Sequence, residues 1–101
     1  MFAINGKTAV ITGDTSGIGL ATAEAFLKKG AKVVIAGRNA QRGADAEGRL
    51  KRVAPDIVFR QTDTSDEDDV KALINFAVET FGSVDIMFNN VASAAWHPST
   101  R

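Results

Sequence analysis

The sequence predicts a doubly wound α/β fold, a parallel sheet of about four strands with helices on both faces. Short apolar runs rich in β-branched residues alternate with longer stretches of helical period. The connections between them are brief and punctuated by glycine, proline or a capping residue. Strands that alternate with helices in this way pair in parallel through right-handed crossovers.

Lys7 to Thr12 is short, apolar and β-branched, and reads as a buried strand that Gly13 ends. From Gly17 to Lys29 the residues Ile18, Ala21, Thr22, Ala25 and Phe26 recur at helical spacing and predict one buried stripe. Lys28 and Lys29 suit the negative end of that helix, and Gly30 stops it. Lys32 to Ala36 is the second strand. Asn39 is placed to cap a helix running to about Val53, with Pro55 closing it, although Gly43 and Gly48 each cost about 1 kcal/mol relative to alanine. Ile57 to Gln61 is the third strand. Ser65 is the expected cap of the next helix, whose acidic first turn, Asp66 to Asp69, complements the positive helix end and needs no metal to explain it. Val70, Leu73, Ile74, Ala77 and Phe81 form its expected buried face, Gly82 ends it, and Ile86 to Asn89 is the fourth strand. Residues 1–90 thus form one domain, and 91–101 read as a tail without periodicity.

At 101 residues the chain has room for one domain. Its 12 basic residues balance its 12 acidic ones, which removes the footprint of a general nucleic-acid binder. The absence of cysteine excludes disulfides, thiolate zinc sites and cysteine nucleophiles. No apolar run approaches the roughly 18 residues of a membrane span, and the start lacks a basic leader. The expectation is a cytoplasmic protein with neither membrane nor nucleic acid as partner.

The chemistry lies between the first strand and the first helix, in Thr12-Gly13-Asp14-Thr15-Ser16-Gly17-Ile18-Gly19. Glycines there let the backbone turn tightly and approach a ligand, while free N–H groups at the helix start attract an anion. A strand before and a helix after are the context a phosphate-cradling loop requires. The spacing T-G-x-x-x-G-x-G resembles the cofactor loop of the short-chain dehydrogenase/reductase family. Asp63-Thr64, after the third strand, is similar to the family's adenine-contacting Asp segment, and Asn89-Asn90 ends the fourth strand where the family carries Asn-Asn-Ala-Gly. The likeness covers roughly residues 5 to 90 and implies a Rossmann-like unit, shorter than the family's full sheet. It also implies cofactor contacts from Thr12, Gly13, Thr15, Ser16, Gly17, Ile18, Gly19, Arg38, Asp63, Thr64 and Asn90, and no metal.

Arg38 follows the second strand, where family members that prefer NAD usually place an acidic residue; an arginine suits the extra phosphate of NADP. The expected cofactor is therefore NADP, with NAD as the alternative. Arg42 either shares that phosphate or is a solvated surface arginine. Asp14 departs from the small residue usual in the family. About 6 Å from a ribose phosphate it would repel by about 3 kcal/mol at an effective dielectric near 20. It can instead accept ribose hydroxyls, which favours NAD, or fold back onto the free N–H groups.

The resemblance implies reversible hydride transfer between a nicotinamide cofactor and an alcohol or carbonyl, which in the family needs a tyrosine, a lysine four residues later and a serine. The chain contains no tyrosine. Ser93 and His97 are not assigned to that role, and Trp96 reads as a packing residue. Val91 and Ala92 stand where the family has Ala and Gly, and Ala92 lacks the close backbone approach of glycine. The expectation is a chain truncated or diverted after the fourth strand, with no catalytic residue of its own. Its fourth strand, Ile86-Met87-Phe88, would then form an open edge that pairs two copies into a homodimer. The competing expectation is a non-catalytic, oligomerising module in which the loop is a remnant.

Overall fold

The computed structural model describes residues 4–13 and 18–90. Its elements are β1 (Thr8–Gly13), α1 (Ile18–Lys28), β2 (Lys32–Gly37), α2 (Ala40–Leu50), β3 (Ile57–Gln61), α3 (Glu67–Phe81) and β4 (Ile86–Asn90). The four strands form one parallel sheet in the order β3-β2-β1-β4, one of the strand orders of doubly wound folds. Expectations falling on Asp14, Thr15, Ser16, Gly17 and residues 91–101 lie outside the described residues.

Alternation along the strands sorts side chains onto two faces. Ile11, Val33, Ile35 and Ile57 pack with Ala23 and Leu27 of α1 and with Ala46 and Leu50 of α2. Val10, Val34 and Ala36 face the other way and meet Leu73 and Ala77 of α3, with Phe76, Phe81 and Val84 packed around them. β1 and β2 are therefore covered on both sides, which is why they read as continuous apolar runs rather than alternating ones. On the α3 face the Arg60 guanidinium lies 5.4 Å from the Phe76 ring centre, a cation–π contact that ties edge strand β3 to α3.

Four expectations are corrected. α1 buries Leu20, Ala23, Phe26 and Leu27, wholly or in part, while Ala21 and Ala25 of the expected stripe are exposed. Alanines at 21, 23 and 25 fit almost any phase of a 3.6-residue period, so the larger leucines at 20 and 27 decide which face is buried. The cap of α3 is Asp66, whose carboxylate accepts from the Asp68 N–H, and not Ser65. Ser65 is engaged elsewhere: its N–H and hydroxyl both donate to Asp63 Oδ1. α2 ends at Leu50 rather than Val53, because the Arg52 and Val53 N–H groups bond three residues back and tighten the chain into a turn. β1, β2 and β4 each run one residue past their expected ends, since Gly13 pairs with Asn90 and Gly37 with Gln61.

β1 starts at Thr8, one residue after Lys7, and α1 ends at Lys28, one residue before Lys29, whereas the start of α2 and the end of α3 follow the sequence reading. Asn39 caps α2 by accepting from the Arg42 N–H at 2.9 Å. Gly82 closes α3 with φ of 95°, a left-handed conformation suited to glycine, and its N–H bonds the Val78 carbonyl. Gly43, an apparent flaw in α2, has a packing reason: a Cβ there would collide with the Phe59 ring of β3. Gly48 has open space around it.

Candidate functional site

The carboxyl ends of all four strands lie along one edge of the sheet, and the winding reverses between β1 and β4. Ligands of open α/β sheets bind outside such a reversal, because the loops there part in opposite directions and leave a crevice. β1 ends in Gly13, whose φ of 114° suits glycine, paired with Asn90 at the end of β4. Directly below, the buried Thr12 hydroxyl donates to Asn89 Oδ1 at 2.6 Å and fastens β1 to β4 at the reversal point. α1 begins at Ile18, and the N–H groups of its first turn point toward the same end of the sheet.

The second half of the site is a cleft of about 490 Å³ at the ends of β2 and β3, lined by Arg38, Gln61, Thr62, Asp63 and Asp69. Its polar groups are held in place. The Thr62 N–H donates to the Gly37 carbonyl, continuing the β2–β3 ladder one step beyond the paired strands. Gln61 Nε2 donates to the Arg38 carbonyl at 3.0 Å. Asp63 Oδ1 accepts both the Ser65 hydroxyl at 2.6 Å and the Ser65 N–H at 3.0 Å. The Asp63 N–H donates to Asp69 Oδ2 at 2.6 Å. Donation from the Ser65 hydroxyl, then from its N–H, holds the Asp63 carboxyl below the usual carboxylate range, with a smaller contribution from the positive charge of Arg38. Asp63 is thus an ionised acceptor in a fixed position beside an exposed arginine.

Arg38 and Asp63, singled out separately in the sequence, come together in this cleft. Thr12, Gly13 and Asn90 gather at the reversal point, Ile18 and Gly19 open α1, and Thr64 is exposed in the turn after Asp63. Thr15, Ser16 and Gly17 lie outside the described residues. The sequence reading missed Gln61, Thr62 and Asp69 as lining residues. Asp69 carried the one available signal, a carboxylate in the first turn of a helix that follows Asp63 closely, and it was absorbed by the helix-dipole explanation of the acidic run. Among the described residues no group of His, Cys, Asp and Glu could hold a metal ion, and no helix is long and apolar enough to cross a membrane.

Comparison with known proteins agrees with this geometry. The family model for short chain dehydrogenases matches residues 7–101, which takes in the tail as well as the sheet. The chain is 42% identical over 89 residues to an uncharacterized oxidoreductase of Thermotoga maritima, covering 88% of this chain and 35% of that one. It resembles the L-sorbose reductase of Gluconobacter frateurii, solved with NADPH and L-sorbose, with a TM-score of 0.85 and 35% identity over 98% of this chain and 38% of that one. It also resembles a short chain dehydrogenase/reductase of Burkholderia phymatum in complex with NAD, with a TM-score of 0.82 and 37% identity over 86% of this chain and 31% of that one. The chain spans about a third of the length of the curated relatives it matches. A glycine-ended β1, a reversal point at β1 and β4, a fixed aspartate after β3 and a family match across nearly every residue lead to one conclusion: the chain belongs to the short-chain dehydrogenase family.

Proposed function

We propose that this chain is the dinucleotide-holding unit of a cytoplasmic oxidoreductase that moves hydride between NADP(H) and an alcohol or carbonyl compound. The observation that carries the reading is the cleft at the ends of β2 and β3 in which Arg38 and the fixed Asp63 carboxylate meet, on the same edge of the sheet as the reversal point. Its donor set fits the adenosine end of the cofactor. The Arg38 guanidinium is a planar, permanently charged partner for a 2′-phosphate, and Asp63 is an acceptor for an adenine amino group. Gly13 leaves room for close backbone approach, and the start of α1 offers N–H groups to the pyrophosphate. Thr15, Ser16 and Gly17 complete the loop in this reading, with Ile18 and Gly19 at the helix start and Thr64 and Asn90 at its margins. The cofactor supplies the hydride; these residues bind and orient it. The proton-transfer role has no tyrosine to take it in these 101 residues, so hydride transfer by this chain alone is not expected.

Calorimetric titration of the purified chain with NADPH and NADH at low salt tests the reading. Saturable binding that favours NADPH supports it, and absence of binding to either overturns it.

A second reading rests on a different observation. Among the described residues β4 is an edge strand, and Met87 on it is 39% exposed on the face of the sheet that packs against α3. An edge that no described strand covers, with an exposed apolar side chain, supports a homodimer formed through β4, in which assembly rather than binding is the function. A light-scattering mass of one chain at tens of micromolar would rule this out.

A further inference from the structure

The structure assigns a role to Gln61: we infer that it is a positioning residue for Arg38, and through Arg38 a determinant of the choice between 2′-phosphorylated and unphosphorylated dinucleotides. The inference rests on the dinucleotide reading above and adds a residue to it. β3 holds α2 along a line of contacts. Toward the end of α2, Glu47 Oε2 accepts the Phe59 N–H, which covers a donor of the open β3 edge. In its first turn, Gly43 lies against the Phe59 ring so closely that no Cβ fits. Just before its start, Gln61 Nε2 donates to the Arg38 carbonyl at 3.0 Å. Ile57 and Phe59 face α1 and α2, so strand alternation puts Gln61 on that same face. Its side chain is the last point at which β3 holds the segment leading into α2.

The segment is pinned on each side of the Arg38 side chain. The Gly37 carbonyl accepts from the Thr62 N–H at 2.8 Å, and Asn39 closes the helix start through the Arg42 N–H. Arg38 itself is exposed, so its side chain extends into solvent from a backbone segment that these bonds hold. An exposed amide on an edge strand adds little to stability, because water replaces its hydrogen bond at small cost. What the bond does provide is a fixed backbone from which a long side chain reaches the cleft, lowering the ordering cost of each contact that Arg38 makes. Only ligands that Arg38 contacts benefit. A 2′-phosphate gains from the pin, and a free 2′-hydroxyl gains little.

The test uses the full chain with Gln61→Met, which keeps length and removes the donor, and Gln61→Glu, which keeps length and offers only acceptors to the Arg38 carbonyl. Affinities for NADPH and NADH are measured by calorimetry alongside thermal midpoints. Gln61→Met should weaken NADPH roughly three- to tenfold, leave NADH within about twofold and barely move the midpoint. Gln61→Glu should weaken NADPH more, since its carboxylate also repels the phosphate. An unchanged NADPH-to-NADH ratio in both variants, with binding by the parent intact, would overturn the positioning role alone. Equal losses for both cofactors together with a lowered midpoint would overturn it in favour of a structural role. No binding by the parent chain would overturn the dinucleotide reading, and this inference with it.

Discussion

Asp63 and Asp85 sit at opposite ends of the same sheet, and local chemistry barely distinguishes them. Each accepts a serine hydroxyl two residues away, Ser65 for Asp63 and Ser83 for Asp85, and each accepts a backbone N–H. In each, those bonds hold the carboxyl below its usual range, with a nearby cation adding less: Arg38 beside Asp63, Lys7 beside Asp85. The difference is where the bonds lead. Asp85 accepts from the N–H of Thr8, 77 residues away, and its own N–H returns to the Thr8 carbonyl at 2.9 Å, closing the β1–β4 pairing at the amino end. Among the described residues Asp63 bonds only within its own turn and the start of α3, so it joins no two of their strands. A depressed carboxyl therefore does not mark a binding residue by itself. Its place at the carboxyl edge, free of any strand-joining duty among the described residues, is what fits Asp63 to the ligand role proposed above and leaves Asp85 a fastener.

The comparison breaks most visibly if the carboxyl end proves indifferent to charge. Arg38→Glu should weaken NADPH by about 100-fold, the loss of a charge-assisted pair, while NADH holds or improves because a carboxylate accepts ribose hydroxyls. Calorimetry with both cofactors and a thermal scan checks it. A drop shared by both cofactors, or a lowered midpoint, would place Arg38 among the fasteners.

At the amino end the expected effect is on stability and not on binding. Asp85→Ala strands the N–H of Thr8, a residue buried to 1% exposure, and loosens the first rung between β1 and β4. The thermal midpoint should fall by about 5 °C or more, a large shift for a domain of this size, while NADPH affinity of the folded protein is unchanged. Asp63→Ala should do the reverse, weakening both cofactors several-fold with a small change in midpoint.

How much of this was legible in the sequence follows the same division. The four strands and their parallel pairing were readable because strands buried on both faces are spelled in β-branched runs, and because Gly13, Gly30 and Gly82 punctuate them. Arg38 and Asp63 were readable as motif positions. Gln61, Asp69 and the Asp85–Thr8 clasp were not, since each acts through a tertiary bond with no sequence period behind it; Gln61 meets Arg38 across 23 positions. The phase of α1 was lost to alanines, which carry too little area to declare a face, and the cap of α3 to two adjacent residues that both cap well.

Acid sharpens the contrast more subtly. Both aspartates have folded-state pKa values below their unfolded values, so each adds stability that is present above the unfolded pKa, near 3.9 for aspartate, and lost as pH falls through the folded one. Asp85→Asn and Asp63→Asn should each be less stable than the parent at pH 6, with the gap closing as pH drops below about 4. Urea midpoints across that range measure it. A gap that persists at low pH would show that the asparagine disturbs packing and that charge is not the cause.

The smallest expected effect lies along α2, where Gly43 near the carboxyl edge and Gly48 in the last turn repeat the division between a constrained position and a free one. Gly43→Ala should destabilise, because the new Cβ collides with the Phe59 ring and either the ring or α2 must move, carrying the Arg38 segment with it. Gly48→Ala meets nothing. It removes backbone freedom from the unfolded chain and improves helix propensity, so stability should rise by about 0.5–1 kcal/mol with cofactor affinity unchanged. A urea midpoint that rises for Gly48→Ala and falls for Gly43→Ala, with equal m-values, would confirm that one glycine is there for Phe59 and that the other is replaceable. If Gly48→Ala also destabilises, some contact at that exposed turn needs the bare backbone.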